Sequence, residues 1–531
     1  MTTMDDLLKQ GSKDQVWKKY CGHLDLSNNE YMQIQKRLLM EQFEILWDSE
    51  IGKKLFGKVP PKNIEAFRSS VPLTTYDFYA PYLAKQDESS LPKGKYVWAH
   101  TSGKSGQYEY KWVPYSRRMY TKLGEVVVGA MILSSCKYKG DITIESGDVL
   151  LVTTAPRPYY SGYVSTATLE EVSVKFVPPI EEAEKMTFND RLSIGFDLAM
   201  ASGLDYFFGL ASIMVKIGEK FEQGSSSSGF SSKMLNPKYL ARSLRGMARA
   251  KLHHRALLPR DVWNVKGIMT GGMDTDVYRD RIEHYWGKYP LEGYACTEGG
   301  MLGMQSWNFK GMTLFPDCDF YEFIPLEEHE KNKKNPAYQP KTVLMDELKP
   351  GIYELVFTNL LGGVICRYRV GDLLKVTSVR DEEIGVDIPQ IRFYSRADDL
   401  IDLGSMARFT ELQIWQAIES TGIPYVDWSA RKEEVKREPI LHLYIELDRS
   451  NKLSLDKVKS KIRTGLQQTC PDFKDMEAMM NGDHLMVTQL PTDTFNIFIM
   501  NQQKAGADLA HTKPPRMQAS DEIVKRLLEA K

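Results

Sequence analysis

The sequence predicts a mixed α/β protein: a large body followed by a small C-terminal α/β unit. Three observations carry that expectation. Apolar residues near the start recur at a helical spacing, short apolar strand-like runs alternate irregularly with helical stretches through the middle, and the pattern changes after about residue 400. Irregular alternation of this kind suits a mixed α/β body better than a helical bundle or a β-sandwich.

Taken in order, residues 1–70 read as helical. Tyr31, Ile34, Leu38, Leu39, Phe43, Leu46 and Trp47 repeat near the helical period. Val71–Pro81, with Pro72 and Thr74–Thr75, turns the chain. Tyr96–Pro114 reads as strand, Ser/Gly loop and strand. Asp148–Thr154, Val262–Met269 and Gly351–Thr358 read as buried strands, and Arg279–Tyr289 as a helix. Two segments, Gln223–Ser232 and Glu327–Pro340, read as solvated surface loops. In the last unit, Leu441, Leu443, Ile445 and Leu447 alternate as in a half-buried strand. Leu453–Gln467 fits a helix, Leu485–Leu490 and Phe495–Met500 fit two strands, and Ser520–Leu528 opens on a helix N-cap. Domains at 1–397 and 398–531 follow.

Composition excludes several function classes. A chain of 531 residues has room for roughly two to four units, so a single small binding module is excluded. Its 42% hydrophobic content supports a sizeable core and excludes disorder as the main state. The balance of 69 Lys+Arg against 70 Asp+Glu supplies no global field to gather nucleic acid or acidic lipid, so neither is an expected partner. The most apolar run, Val126–Leu133, is interrupted by Gly129 and is too short to span a bilayer. The acidic N-terminus lacks the apolar stretch of a secretory signal. Cys21, Cys136, Cys296, Cys318, Cys366 and Cys470 form no CxxC pair and read as free thiols, which places the chain in the cytoplasm. The histidines include one adjacent pair, His253–His254, and no zinc-binding spacing.

Five segments carry side chains suited to chemistry. In Thr101-Ser102-Gly103-Lys104-Ser105-Gly106, glycines let backbone N–H groups approach phosphate oxygens and hydroxyls add donors. Trp98 stands where a Walker motif needs its first glycine, so that motif is rejected. Tyr294-Ala-Cys-Thr297-Glu298 combines an aromatic ring, a hydroxyl and a carboxylate, enough to stack a base, bind phosphate and hold Mg²⁺. Tyr368-Arg-Val-Gly-Asp372 ends a strand on a carboxylate suited to ribose hydroxyls. Arg396-Ala-Asp398-Asp399 lies at the composition change, and in Lys513-Pro-Pro-Arg516 two prolines fix where the ammonium points. Read alone, each is equally well a turn, a linker or a surface lysine. Arg157-Pro-Tyr159-Tyr160-Ser-Gly-Tyr163 reads either as an acyl pocket for an aromatic or bulky acid, or as a packed aromatic turn.

In this order, the five segments resemble the adenylate-forming (acyl-AMP) superfamily. Within it the chain is similar to the Gretchen Hagen three family of acyl-acid amido synthetases. That closer likeness rests on Val71-Pro-Leu-Thr-Thr-Tyr-Asp77, Phe320-Tyr-Glu-Phe-Ile-Pro325, Tyr353-Glu-Leu-Val-Phe-Thr358 with Tyr368–Asp372, and Lys513–Arg516. The resemblance implies the adenylate-forming fold, with a large N-terminal domain and a small mobile C-terminal one. It implies ATP and Mg²⁺, a small carboxylic acid and an amine, commonly an amino acid, as reactants. By the same resemblance, Thr101, Ser102, Gly103, Lys104 and Ser105 form the phosphate loop, and Gly271 and Gly272 the glycine turn near the adenine. Tyr294 flanks adenine, Thr297 contacts the α-phosphate, and Glu298 ligates Mg²⁺. Asp372 holds the ribose, Arg396 approaches ribose or phosphate, and Lys513 bridges the carboxylate and α-phosphate. On the acyl-pocket reading of the aromatic segment, and not by resemblance, Arg157, Tyr159 and Tyr160 line the acyl site. The chain departs from the family pattern at Lys104, Gln107 and Ala295, where a threonine and two glycines are usual. Two other readings use the same residues: transfer to coenzyme A or a carrier-protein thiol, and a non-catalytic protein that binds nucleotide or acid.

Overall fold

The computed structural model describes residues 2–101, 110–223, 236–271, 275–397, 399–403, 407–435, 438–480, 483–504 and 516–529. The chain packs as two compact units. The first comprises Met1–Val370 and Leu374–Phe393, the second Gly371–Leu373 and Tyr394–Lys531.

In the first unit, the helix Asn28–Trp47 starts at a reciprocal cap. Ser27 Oγ accepts the Glu30 N–H, and the Glu30 carboxylate accepts the Ser27 N–H at 2.8 Å. Its periodic apolar face, including Tyr31, Leu39, Phe43 and Leu46, is buried. Two buried glutamines on this helix tie it to distant backbone. Gln35 donates to the Pro316 and Asp319 carbonyls and accepts the Tyr321 N–H. Gln42 donates to the Gly363 carbonyl at 2.7 Å and accepts the Gly362 N–H at 2.8 Å.

Strands β1 (Tyr96–His100) and β2 (Trp112–Ser116) form where the sequence places a strand on each side of the Ser/Gly loop, and they pair antiparallel. Ser116 Oγ then caps the helix Arg117–Ser135, which absorbs the whole Val126–Leu133 run into the core. Close packing of this helix requires glycine at two points. A Cβ on Gly124 would lie 2.3 Å from the Ala167 carbonyl oxygen, and one on Gly129 would lie 2.6 Å from that of Tyr20. No described helix is long and apolar enough to cross a membrane.

The main sheet has eleven strands among the described residues. In chain order they are β3 (Val149–Val152), β4 (Lys175–Val177), β5 (Tyr206–Gly209), β6 (Gly267–Gly271), β7 (Pro290–Cys296), β8 (Gly300–Gln305), β9 (Met312–Leu314), β10 (Asp319–Pro325), β11 (Gly351–Asn359), β12 (Tyr368–Ser378) and β13 (Gln390–Arg396). Their spatial order is β10-β11-β12-β13-β9-β8-β7-β6-β5-β3-β4. Strands β4, β3, β5, β6 and β7 run parallel, whereas β7–β8 and β8–β9 are antiparallel. The sheet thus changes sense at the β7–β8 turn.

In the second unit, β14 (Ile401–Leu403) pairs with β15 (Ala407–Phe409), and β16 (Tyr425–Val435), β17 (Glu438–Leu447) and β18 (Leu485–Gln489) form a three-stranded sheet. Strand β17 is buried on both faces, since Ile440, His442 and Tyr444 are covered along with Leu441, Leu443 and Ile445. The expected one-sided burial is therefore corrected. The helices Leu455–Thr469 and Asp521–Leu528 form close to where the pattern places them.

Other expectations are also revised. Phe495–Met500 is not a strand but lies in the helix Thr494–Lys504. Phe495 and Phe498, three residues apart, pack into one cluster, which a short apolar run permits in either conformation. Glu327–Pro340 contains the helix Leu326–Lys334 in place of a loop. Acidic residues in its first turn and lysines in its last complement the helix dipole, and buried His329 lies 2.6 Å from Glu354. Strand pairing within Val262–Met269 starts only at Gly267, because Pro259 opens a short helix ending at Val262. The helix expected over Arg279–Tyr289 spans Thr275–Trp286. Beyond Val71–Thr75 the chain becomes helical again over Tyr76–Leu83, carrying Pro81 within it. Of Gln223–Ser232, only Gln223 lies within the described residues. All six cysteines are free.

Replacing Gln42 with Leu leaves the buried Gly362 N–H and Gly363 C=O without partners. At about 1–3 kcal/mol for each group, the urea midpoint of the first unit is expected to fall clearly below that of the parent. An unchanged midpoint would show that this glutamine does not hold the helix to the sheet.

Candidate active site

The turn between β7 and β8 consists of Thr297, Glu298 and Gly299. It stands where the sheet changes sense, a position at which adjacent connections diverge and open a crevice. Gly299 is confined: a Cβ there would lie 2.7 Å from Leu302 and 3.0 Å from Phe357. Gly300 closes the turn with a positive φ of 74°.

Glu298 is only 5% exposed, although it carries a carboxylate. Tyr368 Oη, at the start of β12, donates to its Oε1 at 2.8 Å. Lys111 Nζ lies 3.7 Å from the same oxygen. The Glu298 carbonyl accepts Asn359 Nδ2 at 3.0 Å from the end of β11, and Asn359 Nδ2 also reaches Asp319 Oδ1 at 2.8 Å. Tyr115 Oη donates to the Thr297 carbonyl at 2.5 Å. Residues from β2, β11 and β12, together with Lys111 beside β2, therefore hold a three-residue turn. Burial, together with the adjacent Glu298, pushes the Tyr368 phenol well above its ordinary value, so it remains a donor. Burial likewise pushes the Asp319 carboxyl well above its ordinary value of 3.8, against the lowering effect of the Asn359 hydrogen bond.

A small hollow adjoins this turn. Tyr115, Tyr160, Gly300, Met301, Cys318 and Lys122 are among its lining residues. Tyr115 and Tyr160 stack at 5.5 Å between ring centres. Tyr160 Oη is buried and has no hydrogen-bond partner among the described residues. Burial raises its pKa well above the ordinary value, so it is a protonated donor facing this hollow.

The remaining residues expected to act are distributed as follows. Thr101 closes the mouth of the β1–β2 pair, its N–H donating to the Lys111 carbonyl and its Oγ1 accepting the Lys111 N–H. Ser102, Gly103, Lys104 and Ser105 lie outside the described residues, as do Gly272, Asp398 and Lys513. Gly271 ends β6 opposite Gly293, and buried Tyr294 has its ring 6.3 Å from that of Phe393. Tyr159 packs edge-on to His100 at 4.4 Å, within a cluster that includes Trp112. Arg157 is half-exposed and pairs with Glu184 at 2.5 and 2.8 Å, so its charge is already matched within the chain. In the second unit, buried Asp372 has its Oδ1 3.9 Å from Arg396 Nε. Gly371, between Val370 and Asp372, takes a φ of 80° and accepts the Ala397 N–H at 2.8 Å. Arg516, three residues beyond Lys513, donates to Asp427 and lies 3.6 Å over the Trp415 ring.

Lys111, Tyr115 and Asn359 escape a reading of the sequence because none stands in a segment that suggests chemistry by itself. No group of three or more His, Cys, Asp or Glu side chains among the described residues forms a metal cage. Glu298 still suits a Mg²⁺ bound mainly by phosphate oxygens, an arrangement that needs only one or two protein carboxylates.

Two family models match the chain: the GH3 family N-terminal domain over residues 22–168 and the GH3 family central domain over residues 312–396. These two segments of the chain are thus similar to domains of the GH3 family. Among the chain's relatives is the indole-3-acetic acid-amido synthetase GH3.4 of Arabidopsis thaliana, 27% identical over 211 residues, which are 36% of this chain and 33% of that protein. Another is the probable indole-3-acetic acid-amido synthetase GH3.11 of Oryza sativa subsp. japonica, 35% identical over 155 residues, 27% of this chain and 24% of that protein. These matches span about a third or less of the relatives' own lengths. The fold match is longer. The AtGH3.15 acyl acid amido synthetase in complex with 2,4-DB superposes with a TM-score of 0.67 at 16% identity, covering 97% of this chain and 96% of that one. A 2-hydroxyisobutyryl-CoA ligase in the postadenylation state gives 0.57 at 14% identity, covering 100% and 94%. The chain therefore shares the fold of these two enzymes.

The upward shift of the Asp319 carboxyl has a signature in pH. In the unfolded chain this carboxyl ionises above its ordinary value near 3.8, whereas the folded state retains its proton to higher pH. Its contribution to stability is thus present at acid pH and is lost as pH rises through that window. Asp319→Asn, which does not titrate, is expected to gain stability relative to the parent between pH 4 and 8 in urea titrations. A constant difference across that range would mean that Asp319 is ionised in the fold.

Proposed function

We propose that this chain is an ATP-dependent acyl-acid amido synthetase. It adenylates a carboxylic acid with release of pyrophosphate, then passes the acyl group to an amine such as an amino acid. The observation that carries this reading is the buried carboxylate of Glu298, held on the β7–β8 turn beside a buried, unpartnered tyrosine hydroxyl. The matches to two GH3 family domains support it, and the amido synthetases among the relatives suggest an aromatic acetic-type acid as substrate.

In the first step an oxygen of the acid forms a bond to the α-phosphorus while the bond to pyrophosphate breaks. Both reactants are anionic, so the protein's task is to neutralise charge and to align the reacting atoms. Tyr160 Oη donates to the acid's carboxylate and Tyr115 holds the Thr297 backbone in place. Thr297 faces the α-phosphate, Thr101 begins the loop that wraps the phosphates, and Tyr294 flanks the adenine. Asp372 binds the ribose hydroxyls, with Arg396 beside it. Lys513 approaches the α-phosphate oxygens. Glu298 would hold Mg²⁺, which supplies further positive charge to the phosphates when bound. In the second step a neutral amine attacks the acyl carbon. A C–N bond forms, the acyl C–O bond to AMP breaks, and the amine releases one proton. The segment 398–531 works in this reading as a small mobile domain.

Pyrophosphate exchange into ATP, assayed across a panel of carboxylic acids, tests the first step. The parent is expected to respond to at least one acid. Glu298→Gln and Lys513→Ala are each expected to lower the rate by about 100-fold or more with folding intact by circular dichroism. Silence of the parent across the panel would favour a non-catalytic binding protein. Adding amino acids or coenzyme A then separates acceptors: a thioester without an amide would assign the chain to the acyl-CoA ligases.

A further inference from the structure

The balance of 69 basic against 70 acidic residues conceals a local excess. Between Asn236 and Arg260 the chain carries seven lysines and arginines and no aspartate or glutamate. Most of this run is the helix Pro237–Leu252, which Asn236 caps by accepting the Lys238 and Tyr239 N–H groups. A helix on a globular body normally turns its large apolar residues inward. This one does the reverse. Its buried residues are Gly246 and Ala250, whereas Leu240, Leu244, Met247 and Leu252 are between 42% and 75% exposed.

Packing fixes that orientation. A Cβ on Gly246 would lie 3.1 Å from Val262 and 3.3 Å from Leu257, so the inner face has room for small residues only. Arg242 donates to the Met200 carbonyl near the end of the helix Phe188–Ser202, and Arg249 donates to the Asp261 carbonyl at 3.3 Å. Turning the leucines inward would break these bonds and drive larger side chains into the space at Gly246. The helix Phe188–Ser202 likewise exposes Ile194 and Leu198, one turn apart.

Leu240, Leu244 and Met247 stand at i, i+4 and i+7 and so form one stripe. Lys251, four residues beyond Met247, continues the same face. Lys238 and Arg245, seven residues apart, lie together on its flank. All three cations are exposed, and none pairs with a carboxylate among the described residues. Whatever covers this face must be both apolar and negatively charged. A second copy of the helix would set like charges against each other. A groove in another protein would enclose Lys251 within the stripe and strip its ammonium of water. At a bilayer surface the lysine stem stays among the leucines while its ammonium reaches the phosphate layer.

We propose that the helix Pro237–Leu252 is a docking surface for an anionic lipid bilayer. Leu240, Leu244 and Met247 enter the headgroup layer, and Lys238, Arg245 and Lys251 meet lipid phosphates. A helix with apolar side chains on one face and basic ones beside them lies in the plane of such an interface. Each cation near an anionic surface contributes about fivefold in partitioning, and salt screens that contribution. The docking is therefore reversible and local. It uses no residue of the turn at Glu298, so it stands independently of the ligase reading.

Flotation of the full chain with phosphatidylcholine vesicles, with and without phosphatidylserine, tests the proposal. The parent is expected to bind the phosphatidylserine vesicles about tenfold or more above phosphatidylcholine alone, and to lose that margin at high salt. Leu240→Ser/Leu244→Ser/Met247→Ser and Lys238→Glu/Arg245→Glu/Lys251→Glu alter exposed side chains only. Each is expected to lower binding about tenfold or more with an unchanged thermal midpoint. The same change of charge at exposed Lys53, Lys54 and Lys62 is expected to leave binding within about twofold of the parent. No binding by the parent, or an equal loss in the Lys53/Lys54/Lys62 variant, overturns the proposal. Loss in the glutamate variant with none in the serine variant overturns it too, since the stripe then does not enter lipid. Should a triple variant fail to fold, Leu244→Ser and Arg245→Glu singly carry the comparison, with losses of about threefold to fivefold. If the parent ignores vesicles but binds a Glu/Leu amphipathic peptide through the same residues, the stripe is a protein-docking face and the lipid reading falls.

Discussion

The site depends on keeping one carboxylate out of water. Moving an ionised group from solvent into a protein interior costs several kcal/mol even after relaxation. Glu298 has little exposure, so its neighbours must offset that loss. Tyr368 donates directly to it, Lys111 stands nearby with a positive charge, and Asn359 and Tyr115 fix the backbone on which it sits. Hydrogen bonds to charged groups contribute more than neutral ones, about 1.5–3 kcal/mol. The strands that deliver these donors must then meet within hydrogen-bonding distance of one turn. Much of the first unit's topology serves that requirement.

The sheet meets it through its change of sense. Parallel strands β3 to β7 build a platform, and the antiparallel return of β8 leaves a tight turn at its edge. Strands β10, β11 and β12 come from later in the chain, yet their ends converge on that turn through Asp319, Asn359 and Tyr368. The helix Asn28–Trp47 supports the arrangement from the far end of the sequence. Gln35 binds the backbone at both ends of the segment 316–319, and Gln42 binds 362–363. Amide side chains suit this role because each can both donate and accept inside a core. The same segment, by way of Asp317, pairs with Lys122 of the helix Arg117–Ser135.

Several elements could be read from the sequence because their signals are local. The helical spacing of apolar residues in Asn28–Trp47 and the strand–loop–strand of β1 and β2 need only near neighbours. Elsewhere local signals misled. The charged stretch after Pro325 looks solvated, but its acidic start and basic end favour a helix, and His329 docks that helix on Glu354. Phe495–Met500 suits either period over so short a run, and packing of Phe495 with Phe498 decided for helix. The apolar alternation in β17 hid a second covered face, because His442 and Tyr444 are polar by type and buried in fact.

By itself, the sequence determined the chemistry of the turn. Tyr294, Thr297 and Glu298 stand within five residues, and the types present limit what they can do whatever surrounds them. It also determined the alternation that makes an α/β body and the caps that start its helices. Only the tertiary structure decided that Lys111, Tyr115, Asn359 and Tyr368 hold that turn, and that Arg157 is matched by Glu184. It alone placed Lys122 and Val126 between a hollow and a cleft. The reason is physical. Residue type and spacing are local properties, but burial and partnership are set by which distant strands meet, and these decide how strongly a charge or a hydroxyl acts.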